Sequence, residues 1–130
     1  MSLALDTSVL IDIEKENQAT IKSLRDILAI HPLFPQLPFI SYFEFLVGIK
    51  IRKPHKYQEI VSFFNKFNIL HTTNKTIEIL TELKIKYDRL GISLSLADLL
   101  IASQVIENQL ILVTKDKDFE KIEEIKKIIL

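Results

Sequence analysis

Four acidic residues, Asp6, Glu44, Asp98 and Asp116, stand where alternating strands and helices would gather them. Asp6 directly follows the apolar run Leu3–Leu5, and Asp116 lies two residues past Leu110–Thr114, the clearest strand in the sequence. Glu44 falls in the first turn of a helix expected to open at Ser41, after a very short Phe39-Ile40 strand. Asp98 falls in the first turn of a helix expected to open at Ser95. Each acid taken singly has an ordinary explanation. Asp6 suits an N-cap, and Ser41…Glu44 and Ser95…Asp98 have the spacing of capping boxes, each worth ~1 kcal/mol. Taken together they do not. Two carboxylates about 4 Å apart repel by ~4 kcal/mol at an effective dielectric of about 20. A divalent cation reverses that sign, so convergence of the acids implies a metal. All-oxygen ligands select Mg²⁺ or Mn²⁺. Such an ion activates water and polarises a phosphoryl oxygen, and the chemistry that follows is in-line hydrolysis of a phosphodiester.

The elements that must position these acids follow from pattern. Asp6-Thr7-Ser8 offers N-caps for a helix through Val9–Glu14. A second helix is expected over Gln18–Ile30, with Ile21, Leu24, Ile27 and Leu28 on one face. Pro32, Pro35 and Pro38 mark a loop. After the Ser41 helix come a helix over His55–Phe67, a strand at Ile69–His71, and a long helix from Asn74 ended by Gly91. The Ser95 helix is apolar nearly all round, which predicts burial. A turn at Lys115–Asp118, a short helix at Phe119–Glu124 and a last strand at Ile128–Leu130 complete the chain. Strands alternating with helices predict an α/β fold: a three-layer α/β/α sandwich around a short, mostly parallel sheet. Ligands bind beyond the carboxyl ends of such strands.

Composition narrows the function. The 130 residues suit one domain spanning 1–130, and 48% apolar residues suffice for a core. There is no cysteine, which excludes thiol nucleophiles, Cys-type zinc sites and a disulfide framework. Seventeen basic and seventeen acidic residues cancel, so broad non-specific gripping of nucleic acid is not expected, although a local basic rim is compatible. Gly48 and Gly91 are the only glycines, which rules out glycine-rich phosphate loops and G-x-S-x-G. No run suits a membrane span or a signal peptide, so a soluble cytoplasmic protein is expected. Asp12 reads as a solvated helix residue rather than a support for the acids. Lys50, Arg52, Lys53, His55 and Lys56 form the densest basic run, either a phosphate-binding rim or an ordinary turn. His31, His55 and His71 lack metal-ligand spacing, and Phe43, Phe63, Phe64 and Phe67 fit a core or a dimer interface.

Four segments resemble the ordered motifs of PIN domains. They are Leu5-Asp6-Thr7-Ser8-Val9-Leu10-Ile11-Asp12, Ile40–Ile49 with Glu44, Leu94–Ala102 with Asp98, and Leu112–Phe119. The length is similar to that of VapC-type toxins of prokaryotic toxin–antitoxin pairs. The resemblance implies an endoribonuclease dependent on Mg²⁺ or Mn²⁺, with an RNA substrate, a homodimer and a small antitoxin partner. It makes Asp6 and Asp98 the chief metal ligands, with Glu44 completing the site. Asp116 would bind a metal or orient water, and Thr114 would hydrogen-bond behind the acids. The fourth motif departs from the family pattern, because Asp116 and Asp118 both compete for its acid. Asp116 is preferred as nearer the strand end; Asp118 would cap the short helix that follows. The competing functions are a nuclease of RNA processing and a non-catalytic partner-binding module.

Overall fold

A computed structural model describes residues 1–130. Five strands, β1 (Leu3–Leu5), β2 (Gln36–Pro38), β3 (Asn68–Leu70), β4 (Ile111–Thr114) and β5 (Lys126–Ile129), form one sheet in the order β3-β2-β1-β4-β5. Every neighbouring pair is parallel. Six helices connect them: α1 (Thr7–Glu14), α2 (Gln18–Ile30), α3 (Phe39–Arg52), α4 (Tyr57–Phe64), α5 (Asn74–Arg89) and α6 (Leu96–Glu107). A 3-10 turn spans Lys117–Lys121.

Strand periodicity divides the core in two. Leu3 and Leu5 of β1, with Ile111 and Val113 of β4, face a cluster holding Val9, Leu10, Leu24, Phe45, Ile49 and Phe64 from α1 to α4. Ala4 and Leu112, the alternate residues, face a cluster holding Leu83, Tyr87, Leu99, Ala102 and Val105 from α5 and α6. Alternate side chains of a strand point to opposite faces, so a sheet buried on both sides must be apolar throughout. The expected three-layer α/β/α sandwich is present.

The order of the strands creates the site. From β1 the chain moves outward through β2 to β3, then crosses back to place β4 on the other side of β1. The reversal falls between β1 and β4, where open parallel sheets leave a crevice at their carboxyl ends. Register is fixed by Leu3↔Ile111, Ala4↔Leu112 and Leu5↔Val113. The Asp6 N–H extends the ladder to the Val113 carbonyl at 3.1 Å.

Several expected elements move: β3 is Asn68–Leu70 rather than Ile69–His71, the helix expected at Phe119–Glu124 is the 3-10 turn Lys117–Lys121, and β5 runs Lys126–Ile129 rather than Ile128–Leu130. The second strand is Gln36–Pro38, and Phe39-Ile40 already belongs to α3. Pro38 ends β2 and lies at the N-cap of α3, where the absence of an N–H costs nothing. Ser41 and Glu44 are therefore inside the helix and form no capping box. α4 is shorter than expected and spans Tyr57–Phe64. Gly91 does terminate α5: its φ is +68°, its N–H reaches the Asp88 carbonyl, and the Ile92 N–H reaches the Tyr87 carbonyl. That pair of bonds requires the left-handed conformation glycine adopts at no steric cost.

α6 lies buried, as its composition predicts, and its polar residues are satisfied. The Gln104 side chain is fully buried; it donates to the Leu70 carbonyl at 2.8 Å and accepts from the Phe39 N–H at 3.1 Å. It ties the end of β3 to the start of α3. No helix is long and apolar enough to cross a membrane.

Candidate active site

Asp6 leaves β1 at the switch point and is 6% exposed. Its backbone occupies the N-cap of α1, but its side chain makes no capping bond. The carboxylate is instead taken by neighbours across the sheet. The buried Thr114 hydroxyl donates to Oδ2 at 2.7 Å, and the Ser41 hydroxyl reaches Oδ1 at 3.5 Å. Burial pushes the Asp6 carboxyl above its ordinary range, opposed first by the Thr114 hydrogen bond. The negative charge of Asp116 raises it further. Capping does not account for this acid.

Asp98 comes from the first turn of α6, set by Ser95, whose hydroxyl accepts the Asp98 N–H at 3.0 Å. The cap is Ser95, so the Asp98 side chain is not needed to cap the helix. Its pKa is pushed up to about 6, first by burial, then by the charge of Asp116, with Asp6 and Asp118 adding to it and Ser95 opposing. Like charges disfavour ionisation of their neighbours, and the three acids add to the effect of burial in that way. One carboxylate oxygen each from Asp98, Asp116 and Asp118 lie within 4.8 Å of one another.

Asp116 begins the 3-10 turn after β4. Its N–H donates to the Thr114 hydroxyl at 3.0 Å, and its Oδ1 accepts the Asp118 N–H at 2.9 Å. The expected cap moves here: Asp116, not Asp118, caps the turn, and Asp118 lies inside it, exposed and paired with Lys121 at 3.2 Å. Both reach the cluster. Asp6, Asp98 and Asp116 have no basic partner among the ion pairs of the chain.

Glu44 is exposed on α3 and belongs to the rim. The Thr7 hydroxyl, one residue beyond Asp6, lies 3.2 Å from both Glu44 Oε1 and the Ser41 carbonyl. Glu44 thus reaches Asp6 through Thr7 and Ser41, and it is not among the leading charges acting on Asp98. Thr7 and Ser41 read from sequence as helix caps, not as partners of the acids. The signal was present, since Thr7 follows Asp6 directly and Ser41 lies three residues before Glu44.

Asp12 is also placed differently from expectation. It is buried, accepts from the Thr20 hydroxyl, and pairs with Lys115 Nζ at 2.8 Å. Burial raises its carboxyl, but the Lys115 and Thr20 hydrogen bonds outweigh that and hold it below the ordinary range. In the basic run, Arg52 pairs with Glu14, which removes one of the cations available for a phosphate rim.

Oxygen-only donors, partly buried and without cations beside Asp6, Asp98 and Asp116, fit a hard divalent ion. Comparison with known proteins finds similar folds. VapBC2 from Rickettsia felis, bound to a DNA fragment from the promoter, is similar over 100% of this chain and 99% of that one, with TM-score 0.82 and 24% identity. A toxin–antitoxin complex from Klebsiella pneumoniae matches with TM-score 0.75 and 26% identity over 95% of each chain. VapBC-1 from Haemophilus influenzae matches with TM-score 0.80 and 20% identity over 99% of this chain and 98% of that one. No curated protein matches by sequence. The PIN domain family model matches residues 3–125, which include Asp6, Glu44, Asp98 and Asp116, and the chain belongs to the PIN domain family.

Proposed function

We propose that this chain is a metal-dependent endoribonuclease, the toxin of a prokaryotic toxin–antitoxin pair, acting in the cytoplasm as one domain. The observation that carries the reading is the gathering of Asp98, Asp116 and Asp118 within 4.8 Å at the β1/β4 switch point, with Asp6 near enough for its charge to act on Asp98 and no cation paired with Asp6, Asp98 or Asp116. Asp6 and Asp98 would hold Mg²⁺ or Mn²⁺, with Asp116 on the same side and Asp118 at the edge. Glu44 would act from the rim through water. Bound there, the ion would polarise a phosphoryl oxygen and lower the pKa of a water. Thr114 and Ser41 fix the Asp6 carboxylate, and Ser95 fixes the start of α6, so the ligands are oriented before an ion arrives.

The partner assignments draw on a second surface. Phe39, Phe43, Val47 and Ile51 recur every four residues on α3, and all are exposed. Residues at that spacing line one face of a helix. The stripe flanks Glu44 and would receive a small antitoxin or a second copy of this chain.

The test is cleavage of a defined RNA by purified protein with Mg²⁺, Mn²⁺ or EDTA. Cutting should need metal and disappear in Asp6→Asn and Asp98→Asn. Wild-type rates from purified Asp98→Asn would overturn the assignment. A nuclease of RNA processing gives the same result in vitro; an adjacent antitoxin-like reading frame separates the two.

A further inference from the structure

Asp12 is a buried acid that the proposed chemistry leaves unused. It lies on α1, six residues beyond Asp6, and its Oδ2 accepts from Thr20 and from Lys115 Nζ at 2.8 Å. Lys115 is the residue between Thr114, which bonds to Asp6, and Asp116. Its main-chain N–H donates to the Ser8 hydroxyl at 3.1 Å. α1 therefore grips Lys115 at two points, its backbone through Ser8 and its side chain through Asp12, and these two residues lie four apart on one helix face.

A charge pair of this kind is a weak source of net stability, since desolvation offsets much of the attraction. Its effect is geometric. The turn after β4 carries Asp116 and Asp118 toward Asp98, and carboxylates repel. Phe119, fully buried, anchors the far end of that turn, and Lys115 anchors the near end. The same pair also directs a flexible ammonium. A lysine stem can swing, and an unpaired Lys115 next to Asp116 would have carboxylates within its reach.

We propose that Asp12 is a positioning residue for the metal site, which holds Lys115 so that the turn presents Asp116 and Asp118 and the lysine cation stays off the ligands. This rests on the metal reading of the acid cluster. Supports behind metal ligands typically change affinity by about 10–100-fold when removed.

The experiment uses the full chain in Asp12→Asn, Lys115→Met, Lys115→Arg and double Asp12→Asn/Lys115→Met forms. Mn²⁺ binding is measured by titration calorimetry, and amide exchange is followed by mass spectrometry on metal-free protein. Asp12→Asn and Lys115→Met should each weaken Mn²⁺ by about tenfold or more. They should speed exchange across 115–118 with α5 and α6 unchanged. The double form should be no worse than either single, and Lys115→Arg should keep most of the affinity. Variants that bind Mn²⁺ like the wild type, or that speed exchange throughout the chain alike, overturn the role alone. A wild type that binds no Mn²⁺ overturns the metal reading and the role together.

Discussion

Replacing Asp98, a proposed metal ligand, should stabilise this protein when metal is absent. Asp98 is half-buried and has its carboxyl raised from 3.8 to about 6 by burial and by the charges of Asp116, Asp6 and Asp118. At about 1.4 kcal/mol per pH unit, that rise corresponds to about 3 kcal/mol of strain in the ionised form. Solvent screening at a partly open site reduces it to about 1–2 kcal/mol. Because the folded state holds this proton more tightly than the unfolded chain, the cost is absent below pH 3.8. It grows as pH rises and is complete above about 6. Asn is neutral at every pH and close in shape. Asp98→Asn in EDTA should therefore melt about 3–8 °C above wild type at pH 7.5. The two should melt within about 1–2 °C of each other at pH 4, a gap below about 0.5 kcal/mol. Millimolar Mn²⁺ should raise the wild-type midpoint at pH 7.5 and leave the variant unmoved. Thermal melts followed by circular dichroism decide the matter. A variant less stable than wild type at pH 7.5 in EDTA, or one gaining equally at pH 4, refutes the electrostatic account of the cluster.

Further outcomes follow from the same geometry. Mn²⁺ affinity should fall as pH drops through 6, because the proton on Asp98 competes with the ion; calorimetric titrations between pH 5 and 8 check this. Thr114→Val removes the 2.7 Å donor to buried Asp6 and should cost about 1–3 kcal/mol in urea unfolding while weakening Mn²⁺ binding. Gln104→Leu leaves the Phe39 N–H and the Leu70 carbonyl without their partner and should cost about 2–4 kcal/mol by the same measurement. Phe43→Asp on the exposed α3 stripe should reduce self-association or antitoxin capture, read by light scattering, without lowering the melting midpoint by more than about 2 °C.

Much of the architecture was legible because it rests on short-range rules. The Ser95 cap, the Gly91 terminus and the all-round apolar α6 each have a local physical cause that sequence displays. The β2/α3 boundary was less legible. Pro38 reads as a breaker, yet it ends a strand at a point where parallel pairing with Leu70 needs no N–H from it and begins a helix at once. Within the site, Asp6, Asp98 and Asp116 could be placed from their positions after strands and at helix starts. The move of the cap from Asp118 to Asp116 could not, since a 3-10 turn lets one acid cap while its neighbour still reaches the cluster. Asp12 was misjudged because its partner, Lys115, lies 103 residues away. Polarity on a helix predicts solvent only when no distant cation covers it.

The bond between Thr114 and Asp6 joins residues 108 positions apart. β1 is the central strand, yet its neighbour β4 is made almost last. At about 5–20 residues per second, some 5–20 s of synthesis separate the first acid from the hydroxyl that fixes it. A nascent chain therefore carries Asp6 without a site. Strand order thus postpones assembly of the acid cluster to the end of translation.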